Sequence, residues 1–170
     1  MIHVESFKPS DWYLDNPIED IDAPCDAIKH ITSLCLATSV FDGDKCIGCG
    51  GLIYWKEDEA EAWIRLDKCI LDHPGKYIKA IMEAAFICQD VFDGYIYCWV
   101  DEKQPIYQRF VSWFGFNKRQ ELLIMDGKNY RMWEFNRDSF NDRRDSRKRS
   151  RSHAAKQDGP ATSRSPSQNK

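Results

Sequence analysis

The sequence predicts an α/β domain with a mixed sheet over residues 1–136, followed by a tail that cannot build a core. Three observations carry this. Runs with strand period and runs with helix period alternate along the chain, and turn signals separate neighbouring strand runs. The large apolar residues stop at Phe135, after which Phe140 is the only one. With 170 residues, 42% hydrophobic content, six Trp, seven Tyr and nine Phe, the chain is sized for one core.

Charge divides at the same place. Residues 137–170 hold ten Lys/Arg against four Asp/Glu, a net of +6, whereas residues 1–136 hold 14 against 23, a net of −9. An acidic body lacks the clustered cations that a phosphate backbone requires, so any nucleic-acid or acidic-partner contact falls to the tail. The tail reads Arg-Arg-Asp-Ser-Arg-Lys-Arg-Ser-Arg over Arg143–Arg151, then Ser, Ala, Gln, Gly and Pro without apolar period. That is a disordered composition. It serves a solubilising extension, an electrostatic contact with RNA, DNA or an acidic partner, or a clamp on the acidic domain.

The elements follow in order. Ile2–Phe7 alternates enough for a first strand. Residues 8–26 carry Pro9, Pro17 and Pro24 among acids and read as loop, with one short helix at Ser10–Leu14. Ile28, Ile31 and Leu34 share one face of a short helix over 26–34. Cys35–Phe41 and Lys45–Trp55 are β-rich runs joined at Asp42-Gly43-Asp44, and Ala60–Leu71 adds a third antiparallel strand. After a break at His73-Pro74-Gly75, Ile78, Ile81, Met82, Ala85, Phe86 and Cys88 follow helical spacing as far as Asp93-Gly94.

Tyr95–Val100 is six large β-formers, the pattern of a central strand buried on both faces. Pro105 opens a helix whose stripe is Ile106, Phe110, Val111, Trp113 and Phe114, closed by Gly115. Arg119–Met125 and Tyr130–Phe135 flank Asp126-Gly127-Lys128-Asn129, a hairpin signal.

Seven cysteines, mostly in apolar runs, read as buried thiols. Cys46 and Cys49 form a C-x-x-C, the spacing of a redox pair or half a zinc site, but no second Cys or His pair has ligand spacing, so no metal is expected. No signal-peptide pattern precedes Asp11, and no apolar run approaches the roughly 18 residues that span a bilayer. A cytoplasmic protein with no membrane partner is expected.

The order strand, helix, three strands, helix, strand, helix, two strands, with Trp113-Phe114-Gly115-Phe116 directly before the last hairpin, resembles the GNAT superfamily of N-acetyltransferases over nearly all of residues 1–136. The resemblance implies an acyltransferase fold, acetyl-CoA as cofactor, and transfer of its acetyl group to an amine on a small molecule or protein. In that family the cofactor's pyrophosphate meets the N-terminus of the helix after the fourth strand, where free N–H groups and the helix dipole favour an anion. By this likeness Ile70, Leu71, Gly75, Lys76 and Tyr77 stand at the phosphate site and Gln104 in the second motif.

The matching stretch, Leu71-Asp72-His73-Pro74-Gly75-Lys76-Tyr77, has one glycine, a proline without an amide donor, and an added carboxylate. Val111 stands where the family carries its proton-donating Tyr and cannot donate. Tyr107, one helical turn earlier, is either the substitute general acid or a core aromatic. Glu61, Asp67 and Asp101 are the acids available as general base, with His73 beside the loop; each is otherwise a strand-edge charge or a structural residue.

These departures leave a second expectation, a protein that keeps the fold without the chemistry. Trp63-Ile64-Arg65-Leu66, the irregular phosphate loop and the aromatic helix are similar to the small acetyltransferase-like proteins of short-tailed bacteriophages. That likeness implies a place in the host cytoplasm or the virion.

Overall fold

The computed structural model describes residues 1–18 and 35–138. The short helix expected over 26–34 and the tail beyond 138 lie outside the described residues. The elements are β1 (Ile2–Ser6), a 3₁₀ turn (Pro9–Trp12), β2 (Cys35–Asp42), β3 (Lys45–Lys56), β4 (Glu59–Leu66), α1 (Cys69–Asp72), α2 (Pro74–Val91), β5 (Tyr95–Asp101), α3 (Pro105–Trp113), β6 (Phe116–Met125) and β7 (Lys128–Phe135).

The seven strands form one mixed sheet in the order β1-β2-β3-β4-β5-β7-β6. All neighbours are antiparallel except β4 and β5. A parallel pair cannot be closed by a tight turn, and α1 and α2 make the crossover it needs. The last hairpin turns at Asp126 and Gly127, both with positive φ (51° and 72°), the I′ geometry that matches strand twist. Gly115, at φ 90°, takes the left-handed position that ends α3.

Alternation assigns the two faces of the sheet. Ala60 and Leu66 of β4, Ile96, Cys98 and Val100 of β5, and Trp133 of β7 are buried in one cluster with Ile81, Cys88, Tyr107, Phe110 and Phe114, so α2 and α3 cover the same face. On the opposite face, Phe7, Trp12 and Cys49 form a smaller cluster flanked by Trp63.

Two expectations are corrected here. The strand expected over Ala60–Leu71 stops at Leu66, because Asp67 Oδ1 accepts the Cys69 N–H at 2.9 Å and the Asp67 carbonyl accepts that of Ile70 at 3.2 Å, turning the chain into α1. β5 is buried along its whole length on one face only: Ile96, Cys98 and Val100 are inside, whereas on the other face Tyr95 is exposed, Tyr97 and Trp99 are half-buried and Asp101 alone is buried.

Close backbone approach fixes one residue type at the sheet's centre. A Cβ at Gly51 would lie 2.2 Å from the Leu36 carbonyl oxygen and 2.6 Å from the Ala37 Cα, neither of which can swing aside. Gly51→Ala is expected to cost at least about 2 kcal/mol in urea unfolding, whereas Gly75→Ala, with nothing within 4 Å of the added carbon, should stay within about 0.5 kcal/mol of the parent.

Candidate functional site

β4 and β5 pair at only three positions, Glu59↔Tyr95, Ala60↔Ile96 and Glu61↔Tyr97. Beyond them each strand stays with its other neighbour: β4 runs with β3 as far as Leu66, and β5 with β7 as far as Asp101. The parting opens a cleft of about 740 Å³ between the two strands, reaching α2, α3 and the last hairpin. Its volume and mostly apolar lining suit a ligand.

Glu61, Asp101 and Tyr107 all line this cleft. Glu61 sits where the strands part, and its Oε2 accepts the Trp55 indole N–H at 3.0 Å. Burial pushes its carboxyl above the usual carboxylate range, and the Trp55 bond offsets part of that rise. Asp101 lies on the same face four residues along from Tyr97, roughly 13 Å away at strand rise, and its Oδ1 accepts the Lys103 N–H at 2.8 Å. Tyr107 is buried on the helical face, one turn before Val111, which also lines the cleft. The two carboxylates and the phenol therefore approach the gap from opposite faces.

The six residues expected to hold the cofactor do not line the cleft. Ile70 is fully buried in the core, Leu71 is exposed, and Gly75 has open space around it. Lys76 Nζ and the Tyr77 hydroxyl both donate to Asp42 Oδ2, at 2.5 and 3.1 Å. Gln104 precedes α3, its N–H donating to the Asp101 carbonyl and its own carbonyl accepting from Gln108.

The loop after β4 is closed by its own hydrogen bonds. The amides of five consecutive residues donate within the chain: Asp67 to the Ile47 carbonyl, Lys68 to Asn16, Cys69 to the Asp67 carboxylate, Ile70 to Asp67 and Leu71 to Lys68. Pro74 has no amide, and that of Lys76 donates to the His73 carbonyl at 3.0 Å. Asn16 and Ile18 lie along β4 where β5 has departed, the Ile18 N–H meeting the Leu66 carbonyl at 2.9 Å and Pro17 bridging to Asp67. Asp67, wholly buried, receives Lys45 Nζ at 3.2 Å and the Asn16 N–H at 3.1 Å besides that of Cys69. The amides of Asp67 to Leu71 are therefore not available to a pyrophosphate and the Asp67 carboxylate adds negative charge beside them, whereas the first turn of α2, where Gly75 stands, carries no side-chain cap.

Asp67 was visible as a candidate base, but its structural role follows from Lys45 and Asn16, far away in sequence. The only local signal is an Asp two residues before the first helical amide, the spacing of an Asx turn. Cys46 and Cys49 both direct their thiols at the Asp11 carbonyl, at 3.7 and 3.6 Å. Burial pushes the Cys46 thiol up to about 11 and that of Cys49 higher still, which suits buried thiols and not a reactive pair. Among the described residues no three His, Cys, Asp or Glu side chains converge on a possible metal position, and no helix is long and apolar enough to cross a membrane.

Burial opposes the charge on Asp67, but the hydrogen bonds from Cys69, Lys45 and Asn16 outweigh it and hold the carboxyl below its ordinary value. A depressed folded value gives stability that is complete above the unfolded value near 4 and lost as pH falls through the lower folded one. Unfolding measured from pH 6 to 2 should show this loss in the parent and a shallower one in Asp67→Asn. At pH 7, Asp67→Ala, which strands the Lys45 ammonium and two amides, should cost about 3 kcal/mol.

No family model and no curated protein matches the sequence. Solved structures do match. The ribosomal-protein-S18-alanine N-acetyltransferase of Escherichia coli aligns with a TM-score of 0.61 at 11% identity, covering 79% of this chain and 93% of that one. A point mutant of the spermidine N-acetyltransferase from Vibrio cholerae aligns at 0.59 and 14% identity, covering 83% and 98%. A GNAT family acetyltransferase from Elizabethkingia anophelis, solved with acetyl-CoA bound, aligns at 0.52 and 11% identity, covering 79% and 97%. The seven-stranded mixed sheet with its helices is thus a known architecture, and the chain has the GNAT acyltransferase fold.

Proposed function

We propose that the protein transfers an acetyl group from a thioester donor, acetyl-CoA being the family's, to an amine on a small molecule or protein. The observation that carries this reading is the parting of β4 and β5, which opens a cleft holding Glu61, Asp101 and Tyr107 within the GNAT fold. Acetyl transfer forms a C–N bond and breaks a C–S bond; a proton leaves the amine and another reaches the departing sulfur. Glu61 suits the first task, since burial raises its carboxyl toward the range of a base working near neutral pH. Asp101 lies farther along the same face, placed to attract the cationic amine. Tyr107 is the phenol in the cleft on the helical side and takes the second task in place of Val111.

A second reading, a non-catalytic interaction protein with a phage virion-associated protein as one form of it, is favoured by the spent amides of residues 67–71 and by Val111. The basic run beyond residue 138 is a proposed contact for nucleic acid or another acidic partner, and the cytoplasm or the virion is the proposed location. If nucleic acid binds there, removing residues 137–170 should abolish its salt-dependent affinity in a filter-binding titration.

Acetyl transfer to a panel of amines, with calorimetric titration of acetyl-CoA, separates the two main readings. Glu61→Gln is expected to lower kcat/KM about a hundredfold, and Asp101→Asn and Tyr107→Phe about tenfold each, with circular dichroism unchanged. The rate should fall as pH drops through the raised Glu61 value and lose that limb in Glu61→Gln. Loss of transfer in these variants with the fold intact would end the non-catalytic reading. No donor binding at millimolar acetyl-CoA and no transfer to any amine would end the catalytic one.

A further inference from the structure

We infer that the thioester donor this cleft fits best carries an acyl chain longer than acetyl, whose tail passes through the β4/β5 gap and lies between α2 and the sheet. The donor rests on the acetyl-transfer reading; the recess stands on geometry.

The cleft reaches through the sheet, and its two sides differ in chemistry. Successive residues of β4 and β5 point to opposite faces, so Glu61, Trp63, Trp99 and Asp101 border it on one side and Ala62, Ile64, Cys98 and Val100 on the other. The charged residues in its lining, Glu61, Asp101, Asp126 and Lys128, belong to the first side or to the last hairpin. Among the described residues that line the helix side none is charged. The polar side chains there are Thr38, Gln89 and Tyr107 with the thiols of Cys88 and Cys98, and burial pushes both thiols up, so that side stays neutral near pH 7.

Space on the helix side comes from small residues. α2 presents Ile81, Ala84, Ala85 and Cys88 to the cleft, the spacing of one helical face, and all but the first are small. Across from them β3 contributes Gly48 and Gly50, which put no side chain between sheet and helix. Bonds to β2 hold α2 back from settling into the room this leaves: the Thr38 hydroxyl donates to the Ala84 carbonyl at 3.4 Å and the Cys88 thiol to the Leu36 carbonyl at 3.7 Å. Interiors leave few voids wider than a water. Apolar room that opens onto the gap beside Glu61, in a cleft of about 740 Å³, is therefore room for a ligand.

Two occupants suit such room, the acyl tail of a donor or an alkyl part of an acceptor. Charge decides between them. An amine acceptor is cationic near neutral pH and is drawn to Glu61 and Asp101 on the other side, which leaves the helix side to the uncharged end of the donor. With the reacting carbonyl beside Glu61, an acetyl methyl stops at the gap, and each methylene added to it moves into the recess and out of water.

The test is calorimetric titration of the full chain with acetyl-, butyryl-, hexanoyl- and octanoyl-CoA, repeated on Ala84→Leu, which puts a larger side chain into the recess. Ala85→Leu takes its place if Ala84→Leu does not fold. Burying one methylene corresponds to about fourfold in affinity, so octanoyl-CoA is expected to bind at least about thirtyfold tighter than acetyl-CoA in the parent and within about threefold of it in the variant. A smaller gain in the parent, or a gain that the variant keeps, overturns the inference, and if acetyl-CoA itself binds, the acetyl-transfer reading survives that result. A chain-length gain without transfer of any acyl group to an amine upholds the recess and ends the transfer reading. If none of the four thioesters binds, both fall together.

Discussion

The structure turns on a parallel strand pair that lasts three residues. Parallel strands inside a sheet normally run paired along their shared length, because every unpaired backbone group in the interior costs a hydrogen bond. Here β4 and β5 part after Glu61 and Tyr97, and each keeps its other neighbour. That arrangement preserves one ladder per strand and exposes the other edge of each to the gap. Side chains of α2 and α3 border the opening from below, which is why the cleft exists without the sheet coming apart.

What happens at the open edge of β4 then decides what the cleft can hold. Its outer half is capped by Asn16 and Ile18, and the chain beyond it folds back on the Asp67 carboxylate. A buried carboxylate is tolerable only when its lone pairs are met and its charge is balanced, and Lys45 with two amides does both. Removing the charge would leave Lys45 and those amides unmatched, so the closed loop is held in place by the same interactions that keep β4, α1 and residues 16–18 together.

Most of the fold was legible because it is written locally. Asp126-Gly127 names its own turn, Pro105 and Gly115 bracket α3, and the change from period two to period 3.6 near residue 74 marks the passage from β4 to α2. What the sequence could not display is pairing between distant residues. Asp67 looks like any strand-edge acid until Lys45 and Asn16 are set beside it, whereas the extra strand length expected as far as Leu71 failed locally, at the turn Asp67 makes with Cys69 and Ile70. The all-apolar run Tyr95–Val100 misled in a different way: Tyr and Trp carry polar tips and tolerate half-burial, so three of its six residues face away from the core. Of the candidate residues, Glu61, Asp101 and Tyr107 border the gap that the strand order implies, while those expected at the phosphate loop do not, and their hydrogen bonds were not legible.

The separation of core from chemistry explains how a chain can keep this fold at 11% identity to a solved neighbour. On β5 the core takes Ile96, Cys98 and Val100, and Tyr97, Trp99 and Asp101 point to the other face, where Trp99 and Asp101 border the cleft. Packing constrains the first set by size and hydrophobicity, which many sequences satisfy. The second set is free of that core constraint, whereas the loop after β4 is constrained by its bonds to Lys45 and Asn16. The loop after β4 can therefore vary without disturbing a core contact of β5, and likeness of fold carries no information about what that loop binds.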